Sequence, residues 1–236
     1  HEVVPSSCVS NLGVTMDSTA SMEQHVNKVC KAAYIHLHNI SKIRVYLDKP
    51  SLEKIVHAFV TSKLDYGNAL LCGYPNTLLQ RLQRIQNAAA RIITGLKKYH
   101  HITPVLKQLH WLPVEQRIKF KVTLMVFKAK HRLGPKYLHD LIAPYMPARS
   151  LRSENQELLQ VPPTKSSLVT KKAFSVTGPR LWNSLPLELR TENILVTFKS
   201  KLKTYLFVVI SSVMLGTVQS HMRLTAYRLR TFPRKT

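Results

Sequence analysis

Histidine and carboxylate are the residue types from which this chain could build a reaction centre, so their spacing decides which chemistry is open to it. His36 and His38 stand one residue apart, and His100 adjoins His101. Neither pair falls in the H-E-x-x-H pattern that sets two imidazoles on one helix face around zinc, and no H-x-D/E is present for an iron triad. Adjacent imidazoles in a basic turn suit contacts with solvent, protein or phosphate instead. The four aspartates, Asp17, Asp48, Asp65 and Asp140, are scattered, and no two acidic residues are neighbours. Nucleotidyl transfer with two metals needs carboxylates converging on one cluster, so these aspartates read as caps and surface ion-pair partners. There is no nucleophile elbow G-x-S-x-G and no phosphate-cradling G-x-x-x-x-G-K-[ST]. Seven glycines leave few loops to wrap a nucleotide. The expectation is a chain without catalysis of its own, holding no metal and no cofactor.

What the residue types do supply is positive charge. Thirty-five Lys and Arg face 12 Asp and Glu, giving +23 and a pI near 10.2. Such an excess repels itself in a compact state and points to a polyanionic partner, nucleic acid first and acidic membrane second. Residues 76 to 136 carry thirteen Lys and Arg against the single acid Glu115, about half of the whole excess. Tyr99, Trp111, Phe120, Phe127 and Tyr137 are interleaved among them, a composition that grips strands by phosphate contact and base stacking. Phe120 and Phe127 also suit a core. The candidate contacts are Arg81, Arg84, Arg91, Lys97, Lys98, Arg117, Lys119, Lys121 and Lys128. They would bind RNA, DNA or an RNA–DNA hybrid through phosphates, largely indifferent to base sequence, since no zinc-finger spacing, RRM signature or basic zipper is present.

The elements that must position these cations are helices. In "LQRIQNAAARIITG" (82 to 95), Leu78, Leu82, Ile85, Ala89 and Ile92 share one arc at about 100° per residue, while Arg81, Arg84 and Arg91 cluster on another. Asn76 can cap this helix and Gly95 closes it. After Pro113 a longer helix carries Val114, Ile118, Val122, Met125 and Ala129 on one face and Phe120, Leu124 and Phe127 nearly opposite, the pattern of a helix between two layers. Its edges hold Arg117, Lys121 and Lys128 on one side and Lys119 and Lys130 on the other. Upstream, Ser21 and Gln24 form a capping-box pattern before Met22, Val26, Val29, Ala33, Leu37, Ile40 and Leu47. Leu52, Ile55, Val56, Phe59 and Val60 give the face of the next helix. "NLGVTMDS" suits a strand ending at Asp17 and Ser18. "LLQV" (158 to 161) and "AFSV" (173 to 176) bracket a loop rich in Pro, Ser and charge and could pair as a hairpin. A last helix runs through Phe198, Leu202, Tyr205 and Leu206.

The fold class expected is mainly α: a basic amphipathic helical bundle with a short β-hairpin in its C-terminal part. A length of 236 residues suits one large domain or two small ones, and 44% hydrophobic residues argue against disorder. "YLFVVISSVMLGTV" (205 to 218) falls short of the roughly 17 to 25 residues that span a bilayer. Cys8, Cys30 and Cys72 lie far apart and form no framework, so reduced cysteines in an intracellular, nuclear or cytoplasmic setting are expected. With no signal-peptide pattern the chain is not expected to be secreted, and a start at His1 suggests a longer parent.

At this point the blocks "HLHNISKIRVYL", "HAFVTSKLDYGNALLCGYP", "LQRIQNAAARIITG", "HITPVLKQLHWLPVEQRIKFK", "AFSVTGPRLWNSLP" and "FKSKLKTYLF" carry a pattern. Their order resembles that at the carboxyl end of vertebrate LINE-type (non-LTR) retrotransposon reverse transcriptases, over about residues 9 to 207. The resemblance implies that residues 1 to 19 are a strand leaving the polymerase palm, which lies outside this chain with its F/Y-x-D-D aspartates. It likewise implies a helical thumb-like region at 20 to 145 and a loop, hairpin and helix at 146 to 207. RNA-directed DNA polymerase activity is implied for the parent only, with the palm as a further partner, and no catalytic position maps onto a residue here. Gly67 stands where the family usually has cysteine. After Phe207 the likeness stops, and residues 208 to 236, with Arg223, Arg228, Arg230, Arg234 and Lys235, read as a basic tail without order. Two other readings stay open: a protein-interaction scaffold of transposon origin whose basic faces are merely solvated, and a relic with no selected function.

Overall fold

The computed structural model describes residues 6–146, 156–164 and 172–214. Over the described residues the chain is mainly helical with one two-stranded antiparallel hairpin. The hairpin opens it: β1 (Cys8–Asn11) pairs with β2 (Val14–Asp17), Asn11 opposite Val14 and Cys8 opposite Asp17. The two turn residues, Leu12 and Gly13, both have positive φ, 47° and 78°, as a type I′ turn requires. Tyr66 donates its hydroxyl hydrogen to the Leu12 carbonyl and ties the hairpin to the helices.

Asp17 then organises the start of α1 (Glu23–Ile43). Its carboxylate accepts from the Ser21 amide at 2.6 Å and from the Ser21 hydroxyl, and these bonds hold it below the usual carboxylate range. Ser21 Oγ in turn accepts from the Glu23 amide at 3.3 Å, but Met22, with φ 59° and no capping bond from its side chain, takes the capping position, so the expected Ser21–Gln24 capping box does not form. On α1, Val26, Ala33, Leu37 and Ile40 are buried together with Met22 just before it.

Next come α2 (Lys49–Val56), a π-helical turn (His57–Thr61) and α3 (Ser62–Asp65), which follow one another without a break. Leu52, Val56, Val60 and Leu64 are buried there, but Phe59 is 50% exposed and rests on the His36 ring, centroids 5.4 Å apart. The π turn widens the helix and shifts its phase, so the 3.6-residue period places Phe59 on the core face when it is in fact turned out.

A 3-10 turn (Asn68–Leu71) leads to α4 (Asn76–Thr94), which packs on α1 and ends at Gly95 with φ 76°. Pro75 occupies the capping position and Asn76 the first turn. The guanidinium of Arg44 lies so close over Gly95 that an added Cβ would sit 2.5 Å from it. A cation there also complements the carbonyl end of α4.

The short α5 (Thr103–Gln108) precedes α6 (Val114–Lys130). Val114, Ile118 and Val122 belong to the core made with α1 and α4, whereas Val126 and Phe127 belong to a second core with Trp182, Leu189, Phe198 and Leu202. The helix thus lies between two layers, as its double apolar pattern predicts. After α7 (Lys136–His139) the second core is completed by α8 (Phe174–Asn183), α9 (Leu187–Arg190) and α10 (Leu195–Met214). Phe127 stacks on Phe198 with centroids 4.2 Å apart, and Trp182 donates its indole hydrogen to the Glu157 carbonyl at 2.9 Å.

The hairpin expected in the C-terminal part does not form there. Leu159 makes a single bridge to Pro144, and residues 174 to 176 are the first turn of α8. Burial decides this: Val176, Gly178, Pro179 and Trp182 form a helical face against α6, and Thr177 secures the turn by donating its hydroxyl to the Ala173 carbonyl at 3.1 Å. Gly178 serves close packing; a Cβ there would lie 2.9 Å from Val126 Cγ2. Helix α10 runs seven residues beyond Phe207. No helix among the described residues is long and apolar enough to cross a membrane. The basic residues from Arg223 onward lie outside the described residues.

Candidate nucleic-acid interface

The two-layer position of α6 leaves only its edges for charged side chains, and one edge borders a groove of about 500 Å³. Arg117 and Lys121, one turn apart on α6, stand on this side. Across from them are Asp65 at the end of α3 and Asn68 in the following turn, while α10 reaches the groove with Lys203. Phe120 and Leu124, half-buried, form an apolar wall, and the edge of Trp111 meets His57 at 5.3 Å between centroids.

Among the described residues Asp65 is the sole carboxylate lining the groove, and it holds the cations in place. Its side chain pairs with the Arg117 guanidinium, its carbonyl accepts from Lys121 Nζ at 2.8 Å, and Asn68 Nδ2 donates to Oδ1 at 3.2 Å. Arg117 has five N–H donors and a carboxylate cannot engage all of them. Lys121 and Lys203 are exposed, so three cations against one acid leave the groove electropositive. Chemically this arrangement suits a phosphodiester at the cations with a sugar or base along the wall.

The other candidate residues fall into distinct places. Lys128 is on the same edge of α6, two turns from Lys121, and its side chain runs beside Gly134. Lys119 is on the opposite edge, where its ammonium pairs with Glu115 at 2.6 Å. Arg81, Arg84 and Arg91 line the outer flank of α4, with Lys97 and Lys98 exposed beyond Gly95. Arg81 is tethered to Asn27 Oδ1 at 2.9 Å. Arg91 is half-buried, donates to the His100 carbonyl at 3.4 Å and leaves its Nε buried without a partner. Arg84 is exposed. With Arg44 over Gly95, Arg91, Lys97 and Lys98 make a second basic region around the end of α4, which Arg84 and Arg81 continue along the helix toward its start. Eight of the nine candidates therefore form two regions, and Lys119 is apart from both.

Sequence reasoning did not find His57, Asn68, His110 and Lys203, which also line the groove. Lys203 had a signal in the alternating lysines of "FKSKLKTYLF", of which Lys201 pairs with Glu192 at 2.6 Å. Of the interleaved aromatics, Phe127 is fully buried and Trp111 is 7% exposed, while Tyr99, stacked on His100 at 4.6 Å, and Tyr137 are open. The aspartates Asp17, Asp48, Asp65 and Asp140 belong to separate elements. No three His, Cys, Asp or Glu side chains gather as metal ligands among the described residues. Compared with protein-family models, with curated proteins and with solved structures, the chain matches none.

Proposed function

We propose that this chain is the palm-less, thumb-like part of a LINE-type retrotransposon reverse transcriptase, and that it holds the phosphate backbone of RNA, DNA or their hybrid without catalysis. The observation that carries the binding role is the groove in which Arg117, Lys121 and Lys203 converge beside Phe120 and Leu124, with Asp65 as the sole acid among the described residues. The ordered blocks from His36 to Phe207 support the family assignment. The scattered aspartates support leaving nucleotidyl transfer to carboxylates outside this chain, and with them a palm as partner. In this role the protein works inside the cell, where polynucleotides are.

Binding of this kind releases counterions in proportion to the phosphates neutralised. With six or more contacts from the two basic regions, affinity for a labelled oligonucleotide should fall on the order of a thousand-fold between about 50 and 200 mM salt. Fluorescence anisotropy across a salt series measures this. Absent binding at low salt, or tight binding that ignores salt, would overturn the proposal.

A further inference from the structure

Just beyond Gly95 the chain sets two aromatic rings together in the open. Tyr99 is 75% exposed and stacks on His100, with centroids 4.6 Å apart and planes 28° from parallel. The turn that carries them is fixed through the His100 backbone: its amide donates to the Lys97 carbonyl at 3.2 Å, and its carbonyl accepts from Arg91 on α4 at 3.4 Å. With one ring face on His100, an exposure of that size leaves the other face of Tyr99 to solvent. Lys97 and Lys98 precede the pair and are exposed, and the exposed Arg44 reaches over Gly95 from just beyond α1. No acid occurs in the chain between Arg91 and Val114.

We infer that Tyr99 stacks on an unpaired base of a single-stranded nucleic acid, which becomes the next ring after His100, while Lys97, Lys98 and Arg44 neutralise the phosphates beside it. This rests on the backbone-binding reading above and gives the end of α4 a task apart from the groove beside α6. Every base has a π-face, so the contact is indifferent to sequence and serves RNA and DNA alike. Inside a duplex that face is covered by the neighbouring base pairs, so the contact selects unpaired strands. A tyrosine already held by His100 and by a fixed turn has little freedom to lose when a base arrives. The cations and the lack of an acid favour a polyanion over an uncharged protein surface.

The test is a double-mutant cycle between protein and ligand, read by fluorescence anisotropy at low salt. The full chain, Tyr99→Ala and Tyr99→Phe are each titrated with a short thymidine strand and with the same strand carrying abasic sugars, which keeps every phosphate. Tyr99→Ala should weaken binding of the thymidine strand about five- to a hundredfold, the worth of one stacked base, and should leave the abasic strand and the salt slope as in the parent chain. Tyr99→Phe should bind both strands as the parent does, and the equivalent uridine RNA should repeat the pattern. Equal weakening on both strands, or none on either, would overturn the stacking inference while backbone binding stands. Failure of the parent chain to bind either strand would overturn both. If Tyr99→Ala does not fold, light-induced cross-linking of an iodouracil-bearing strand to the parent chain decides: attachment at Tyr99 supports the stack, and attachment only elsewhere overturns it.

Discussion

At the scale of single residues, the groups that carry most of the meaning are those whose polar atoms the fold has taken from water. His25 is one of them. It is 4% exposed on α1, and its Nδ1 accepts from the Thr15 amide of the hairpin at 3.4 Å. Burial, with Lys28 nearby, pushes the imidazole below its ordinary 6.5. The unfolded chain therefore takes up the proton more readily than the folded one, so the stability His25 contributes is complete above about pH 6.5 and is lost as pH falls below it. Protonation also removes the acceptor for Thr15. Burial lowers the His131 imidazole in the same direction. The melting temperature should drop between pH 7.5 and pH 5.5, and His25→Gln should drop less over that interval; an equal drop in the variant would show that His25 is not the group responsible. Asp65 works the other way: as an exposed-edge acid it lowers the charge of the groove, yet it orients Arg117 and Lys121, so its role is placement of cations.

At the scale of elements, helix packing overrules local signals where the two conflict. "AFSV" reads as a strand, yet it opens α8, which buries Val176, Gly178 and Trp182 against α6. Gly178→Ala tests this, because the added methyl meets Val126 at 2.9 Å in a buried contact. Overpacking of that kind should cost about 1–3 kcal/mol, measured by denaturant unfolding, whereas a surface turn would show no loss. What could be read in the sequence follows the same logic. The face of α1, the arginine flank of α4 and the double face of α6 were legible because each is a local 3.6-residue period. Phe59 was misplaced because the π turn changes that period, and the C-terminal hairpin was misread because its alternative depends on α6, some fifty residues away. The groove was half legible: Arg117 and Lys121 share one helix edge, but Asn68, His57 and Lys203 come to it from distant segments, and no spacing rule reports such convergence. Lys119, two residues from Lys121 in sequence, was legible on the opposite edge from the helical period alone, and there it pairs with Glu115.

At the scale of the whole molecule, +23 has to be reconciled with compactness, and the fold does this by spreading cations around two apolar cores that α6 joins. Net charge alone would attract any polyanion, so the claim peculiar to this structure is that position matters and the groove beside α6 leads. Exposed apolar residues such as Val45 and Tyr46, 81% and 85% open, suit the alternative of a protein-interaction scaffold, for which the groove would be inert. The decisive measurement compares two triple variants of equal charge loss. One is Arg117→Gln with Lys121→Gln and Lys203→Gln; the other is Lys28→Gln with Lys31→Gln and Lys42→Gln on the exposed side of α1. Salt titrations of oligonucleotide binding by both should show the groove variant losing about one unit of slope for each cation removed, with the α1 variant close to the parent. Equal losses in the two, or none in the groove variant, would contradict the account.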